Sequence, residues 1–313
     1  MSDLPPHYID PQNRYEVVKE LGRGGMAIVY EVKDTHTLTN GAPTQRALKV
    51  ATNDPTLRAT SYRRIEEEYT ITKALQSPRT VQVYDLGTAA TGAPFFTMEL
   101  LRGTPLSELI KARPKGAPFT LPEILQILTQ IAEALQSVHE KGYVYADLKP
   151  ANILVMEDNG QFDLRLLDFG ITSKAVPFSP ELTLATPSET GVMTGTSLYM
   201  SPEQVRGAPL TIRSDIYSFG ILAFEVCTGE VPYQGEGLFT ITASHLLAKI
   251  PSARERNVQI PRALDRLVHA MMEKLPIERF ATISEVLTSL TKISPQTEGQ
   301  SLLQRALNRL IGR

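Results

Sequence analysis

The sequence predicts an α+β chain built in two parts, a small antiparallel β-sheet with one helix followed by a larger, mainly helical part. Three observations carry this. Between Tyr15 and Val50 the residues run in strand-like segments separated by glycine-containing turns. After Gly103 the apolar spacing changes to the helical period. Residues 214–228 are apolar nearly all round (Ile216, Phe219, Ile221, Leu222, Phe224, Val226), the pattern of a helix buried on every side.

Taken in order, Tyr15–Leu21 leads into glycines and Ile28–Val32 leads out, which predicts a hairpin. Asn40-Gly41-Ala42-Pro43 marks a second turn, and Arg46–Val50 a third strand. A charged helix is expected over 57–76, then strands over Val81–Leu86 and Phe95–Leu100. Thr120-Leu121-Pro122-Glu123 has the form of a capping box with an early proline, so a helix should follow from Ile124 to Val138 and stop at Gly142. Residues 261–291 read as two more amphipathic helices.

At 313 residues, 42% hydrophobic and 21% charged, the chain has the make-up of an ordinary globular protein large enough for two lobes. A formal net charge of −2 gives no bulk electrostatic case for nucleic-acid binding. Cys227 is the single cysteine, which rules out an internal disulfide and fits a reducing, cytoplasmic compartment; its place in the apolar helix reads as core. Met1–Arg14 is polar, unlike a secretory leader, and no stretch reaches the ~18–20 apolar residues of a membrane span. The histidines lack metal-ligand spacing.

The chemistry concentrates in a few places. Tyr145-Ala146-Asp147-Leu148-Lys149-Pro150-Ala151-Asn152 supplies a carboxylate, a lysine and an amide, and Asp168-Phe169-Gly170 follows on what reads as the next strand. A base, two metal ligands and a phosphate-pairing cation are what phosphoryl transfer from Mg-ATP needs. Gly22, Gly24 and Gly25 in the first hairpin would let backbone N–H groups approach phosphates, although alone they read equally well as a flexible turn. Lying between two strands, they are not a dinucleotide fingerprint. Lys49 needs a carboxylate partner to stay positioned. On the 57–76 helix Glu68 shares a face with Ile65, Thr72 and Leu75, whereas Glu66 and Glu67 point to solvent, so Glu68 is the expected partner.

On these motifs and their order the chain resembles the eukaryotic-type (Hanks-type) protein kinases from about Tyr15 to Leu290, and its Leu21-Gly22-x-Gly24-Gly25-Met26-Ala27-x-Val29-Tyr30 run is similar to bacterial serine/threonine kinases. The resemblance implies a two-lobed kinase domain over 15–290 (small lobe 15–101, large lobe 102–290), a 1–14 extension, and a 291–313 tail with a basic amphipathic helix. It implies ATP with magnesium, or manganese as the alternative ion. Leu21, Gly22, Gly24, Gly25, Val29, Ala47, Lys49, Glu68, Met98 (as gatekeeper) and the Glu99 and Leu101 backbones would bind the nucleotide. Asp147 would be the base, Lys149 would neutralise the phosphoryl group, and Asn152 and Asp168 would hold metal. Thr196 would line the peptide groove, Glu203 (in Ser201-Pro202-Glu203) would pair with Arg279, and Asp215 would anchor the catalytic-loop backbone. Protein substrates and an upstream regulator are the implied partners; a homodimer is one option for the assembly.

The chain departs from the family pattern where Ala27 replaces the third glycine and where Tyr145-Ala146-Asp147 replaces His-Arg-Asp. Family members with arginine before the aspartate use it to grip a phosphate on the activation segment. Ala146 lacks that group, so the expectation is a kinase that does not need phosphorylation by this route; Lys174 or Arg64 as the receiver is the competing reading. Ser188, Thr190 and Thr194 lie where related kinases autophosphorylate, within a segment that is also simply hydroxyl-rich. Two rival classes compete with this reading. A pseudokinase scaffold is opposed by the presence of Lys49, Asp147 and Asp168, and a small-molecule kinase by the Thr194–Gln204 segment.

Overall fold

The structure, a computed structural model, describes residues 7–170, 172–174 and 197–293. Backbone contacts divide the chain into two units: Met1–Gly103 with Arg165–Thr172, and Thr104–Leu164 with Ser173–Arg313.

The first unit is a five-stranded antiparallel sheet in the order β1-β2-β3-β5-β4, with β1 at Tyr15–Arg23, β2 at Ala27–Thr39, β3 at Ala42–Ala51, β4 at Val83–Thr88 and β5 at Pro94–Glu99. Helix α1 spans Arg58–Leu75 and packs on β3, β4 and β5. Its buried residues are Ser61, Ile65, Glu68, Thr72 and Leu75, a single stripe at helical spacing. Leu48, Val50, Ile65, Phe95 and Phe96 form the centre of the core, and Tyr15 meets Phe95 edge-on at 5.5 Å. The turn between β2 and β3 is tighter than expected. Asn40 and Gly41 both have positive φ (54° and 79°), a two-residue turn that matches strand twist, so Ala42 and Pro43 already lie on β3 opposite Thr39 and Leu38.

Two boundaries differ from expectation. Residues 7–14 are not a separate extension: Ile9 is in the core, Tyr8 bridges Glu16, and Arg14 pairs with Asp34 at 2.8 Å and Asp85 at 3.0 Å. The division between units is also not a single cut near residue 101, because residues 165–172 join the first unit, where Leu166 exchanges backbone hydrogen bonds with Arg79 and Val81.

The second unit begins with β6 (Thr104–Pro105), α2 (Leu106–Ala112) and α3 (Leu121–Glu140). Glu123 reaches back to the Thr120 N–H at 2.7 Å, closing the expected capping box, and Gly142 ends the helix with φ of 78°. Then come β7 (Tyr143–Val144), β8 (Ile153–Asp158), β9 (Gln161–Leu166) and β10 (Ser173–Lys174); β6, β8 and β9 make one small sheet, β7 and β10 another. The helices that follow are α4 (Pro202–Arg206), α5 (Ile212–Thr228), α6 (Leu238–Leu247), α7 (Ala253–Arg256), α8 (Arg262–Met271) and α9 (Ile283–Thr291). From Ser214 to Thr228 every residue of α5 except Glu225 is buried, with α3, α7 and α8 packed around it. Cys227 is fully buried there, and burial pushes its thiol pKa well up, which keeps it inert. Among the described residues no helix is long and apolar enough to cross a membrane.

Candidate active site

In the first unit the sheet register collects the expected nucleotide residues. Ala47 and Lys49 alternate onto one face of β3; across the ladders Val29 lies opposite Lys49 and Met98 opposite Ala47, which puts all four on that face. Leu21 falls in a bulge between Glu20 and Gly22 and is half exposed. The glycine-rich turn closes through the Gly24 N–H donating to the Ala27 carbonyl at 2.9 Å. A Cβ at Gly22 or Gly25 would meet nothing within 4 Å, and one at Gly24 only that carbonyl at 3.7 Å. The chain's own packing does not demand glycine there, which fits a backbone kept bare for a ligand.

Lys49 Nζ donates to Glu68 Oε1 and Oε2 at 2.7 and 2.8 Å and to Asp168 Oδ1 at 3.1 Å. Burial works against charge on the lysine, but the two carboxylates outweigh it and hold its pKa above the ordinary value. Glu66 and Glu67 are exposed, as their positions on the helix imply. Asp168 is not on a strand: β9 stops at Leu166, and Asp168 takes a left-handed φ of 54°, a conformation aspartate tolerates better than most residues. Gly170 makes room for this turn, since a Cβ there would lie 3.1 Å from Asp168 Oδ1 and 3.4 Å from Glu68 Oε2. At the end of β5 the Glu99 N–H donates to Gln82 O at 2.9 Å. That commits its donor to the first unit, so only its carbonyl is left for the adenine contact expected of this backbone. Arg64, one of the two phosphate receivers considered, instead lies with its guanidinium 3.1 Å from Met26 Sδ.

In the second unit Asp147 follows β7. Its Oδ2 accepts from Lys149 Nζ at 2.7 Å and Asn152 Nδ2 at 2.9 Å, and Asn152 Nδ2 also donates to the Asp147 carbonyl at 3.0 Å. Spending the amide nitrogen on Asp147 turns the Asn152 carbonyl oxygen away from it. That oxygen, and in the first unit the Asp168 carboxylate, are each a hard donor of the kind a magnesium ion takes. Asp215 Oδ2 accepts the Tyr145 N–H and Oδ1 the Ala146 N–H, both at 2.8 Å, and His139 Nε2 lies 2.8 Å from Oδ2. Glu203 and Arg279 form a two-pronged buried pair at 2.7 and 2.9 Å, with side chains 4% and 0% exposed. His139 has no metal-ligand spacing to mark it in the sequence; its position four residues after the buried Leu135 on α3 is the available signal.

Residues 15–290 match the family described as Protein kinase domain. The chain belongs to this family. Protein kinases use ATP with a divalent metal. The chain is 34% identical over 281 residues to a probable serine/threonine-protein kinase of Clostridium acetobutylicum (90% of this chain, 40% of that protein). It is 32% identical over 292 residues to the probable serine/threonine-protein kinase PknB of Lactococcus lactis (93% and 44%), and 32% identical over 273 residues to the serine/threonine-protein kinase PrkC of Bacillus subtilis (87% and 39%). It spans about two-fifths of the length of these curated relatives. Thr196, Ser188, Thr190 and Thr194, with Thr183 and Thr186, lie outside the described residues, as does the tail helix expected near 301–311; Lys174 is described only as backbone in β10.

Proposed function

We propose that this protein kinase domain transfers the γ-phosphoryl group of Mg-ATP to serine or threonine hydroxyls of proteins, its own included. The observation that carries the reading is Lys149 Nζ on Asp147 Oδ2 at 2.7 Å, a cation two residues from the base on a loop pinned by Asp215. In this reading Asp147 accepts the substrate hydroxyl proton. Lys149 stands beside it to balance charge on the group in transit. Lys49, kept protonated by Glu68 and Asp168, is the phosphate-gripping cation. The Asn152 and Asp168 oxygens would hold magnesium, whose charge, when bound, offsets that of the phosphate oxygens. The named serine/threonine kinases among the relatives support the choice of hydroxyl. A reducing, cytoplasmic setting is supported by the single buried cysteine.

Incubation with γ-labelled ATP, magnesium and a generic basic protein tests the reading. Label on serine or threonine is expected; no label, or label on tyrosine alone, overturns it.

A further inference from the structure

We infer that Gln204 is a positioning residue for the catalytic aspartate, holding through one neutral hydrogen bond the peptide that leads into Asp147. The inference rests on the kinase reading above.

Ala146 adopts φ of +66°, a left-handed conformation that a residue with a Cβ holds only when its surroundings enforce it. Both ends of the residue are gripped. Its N–H goes to Asp215 Oδ1 at 2.8 Å, and its carbonyl accepts from Gln204 Nε2 at 2.7 Å. The carbonyl of Ala146 and the N–H of Asp147 belong to one rigid peptide plane. Fixing that oxygen therefore sets the plane's rotation, and with it the direction in which Asp147 projects its side chain.

Gln204 is itself held at the other end. Its Oε1 accepts the Ser201 N–H at 2.8 Å, and its own N–H reaches Ser201 Oγ at 3.2 Å, the two bonds of a capping box on α4. The oxygen must face the Ser201 donor and the nitrogen the Ala146 acceptor, so only one orientation of the amide satisfies both. Next to it Glu203 ties α4 to Arg279 and, at 3.1 Å, to Ser214 Oγ. The capping residue of a short helix thus carries a rigid, uncharged tether to the catalytic loop. The tether itself uses no ionised group.

Gln204→Glu separates positioning from capping. Glutamate still accepts from Ser201, being a standard capping-box residue, but its carboxylate cannot donate to the Ala146 carbonyl. Wild type, Gln204→Glu, Gln204→Met and Asp147→Asn are compared for kcat, KM for ATP and melting temperature. The expected result is kcat down roughly 10- to 100-fold in both Gln204 variants, with KM for ATP within about twofold and the Gln204→Glu melting temperature near wild type. Wild-type kcat in Gln204→Glu overturns the inference, as does a loss of kcat matched by a parallel fall in nucleotide affinity and melting temperature. Absence of transfer in the wild type overturns the kinase reading and the inference with it, and is told apart from the other outcomes by that control.

Discussion

Lys49 shows how much a single residue's setting decides. An isolated strand lysine is a solvated surface group; this one keeps only 14% of its side chain exposed and is shared between Glu68 and Asp168. Replacing it by methionine leaves two carboxylates facing each other and removes the cation proposed to grip the phosphates. Lys49→Met should lower kcat by about 10²-fold or more in a transfer assay, and retained turnover would show that the lysine is not in the reaction. The Glu68 partnership was legible in the sequence because helical spacing singles out one of three adjacent glutamates. The third member was not: the turn that brings Asp168 to Lys49 depends on a left-handed residue and on the small Gly170, neither of which spacing reveals. Gln204 was missed for a related reason. The local Ser201–Gln204 pattern predicts a cap, but the second use of the amide reaches across 58 positions to Ala146, where no periodicity points.

At the scale of elements, α4 and α5 hold the loop that leads into Asp147, through Gln204 and Asp215. Arg279 joins α4 to its surroundings, with two bonds to Glu203 on α4 and others to Arg213 O on α5 and to Glu273 O and Lys274 O after α8. Arg279→Ala leaves Glu203 buried and uncompensated, and should cost roughly 3–5 kcal/mol in urea unfolding, with Arg279→Lys losing less; a change under about 1 kcal/mol would mean the pair is dispensable. The Ser201-Pro202-Glu203 to Arg279 pairing was readable from the family motif, and so was the Asp215 anchor. The same elements bear on regulation. The Ala146 N–H is held by Asp215 and its carbonyl by Gln204, without a guanidinium at position 146. Phosphatase-treated enzyme should accordingly keep its turnover within a few-fold of the untreated form, and a large loss would show that phosphate is received elsewhere, at Lys174 or Arg64.

For the molecule as a whole, the order of elements was largely legible, since strand alternation and helical stripes are set by burial. The unit boundary was not, because residues 165–172 join the first unit through hydrogen bonds to Arg79 and Val81 that are distant in sequence. The chain's response to acid has a source in the first unit. Asp34 is fully buried; desolvation pushes its pKa up, but hydrogen bonds from Arg14 and Thr37 and the Arg14 charge outweigh it and hold the carboxyl at about 2 against an ordinary 3.8. A depressed carboxylate stabilises the fold fully above its unfolded pKa and loses that contribution as pH falls through the folded one. The stability gap between wild type and Asp34→Asn should be constant above about pH 4 and shrink by about 2 kcal/mol toward pH 2. A gap that does not change with pH would contradict the assignment.

Asp147→Asn is the sharpest test of Asp147 as the base of a protein phosphotransferase. The measurement is transfer of labelled phosphate from Mg-ATP to a basic protein, with nucleotide affinity determined on the same preparation. Transfer should fall to background, with nucleotide affinity within a few-fold of wild type. Substantial residual transfer by the Asp147→Asn protein would contradict that role.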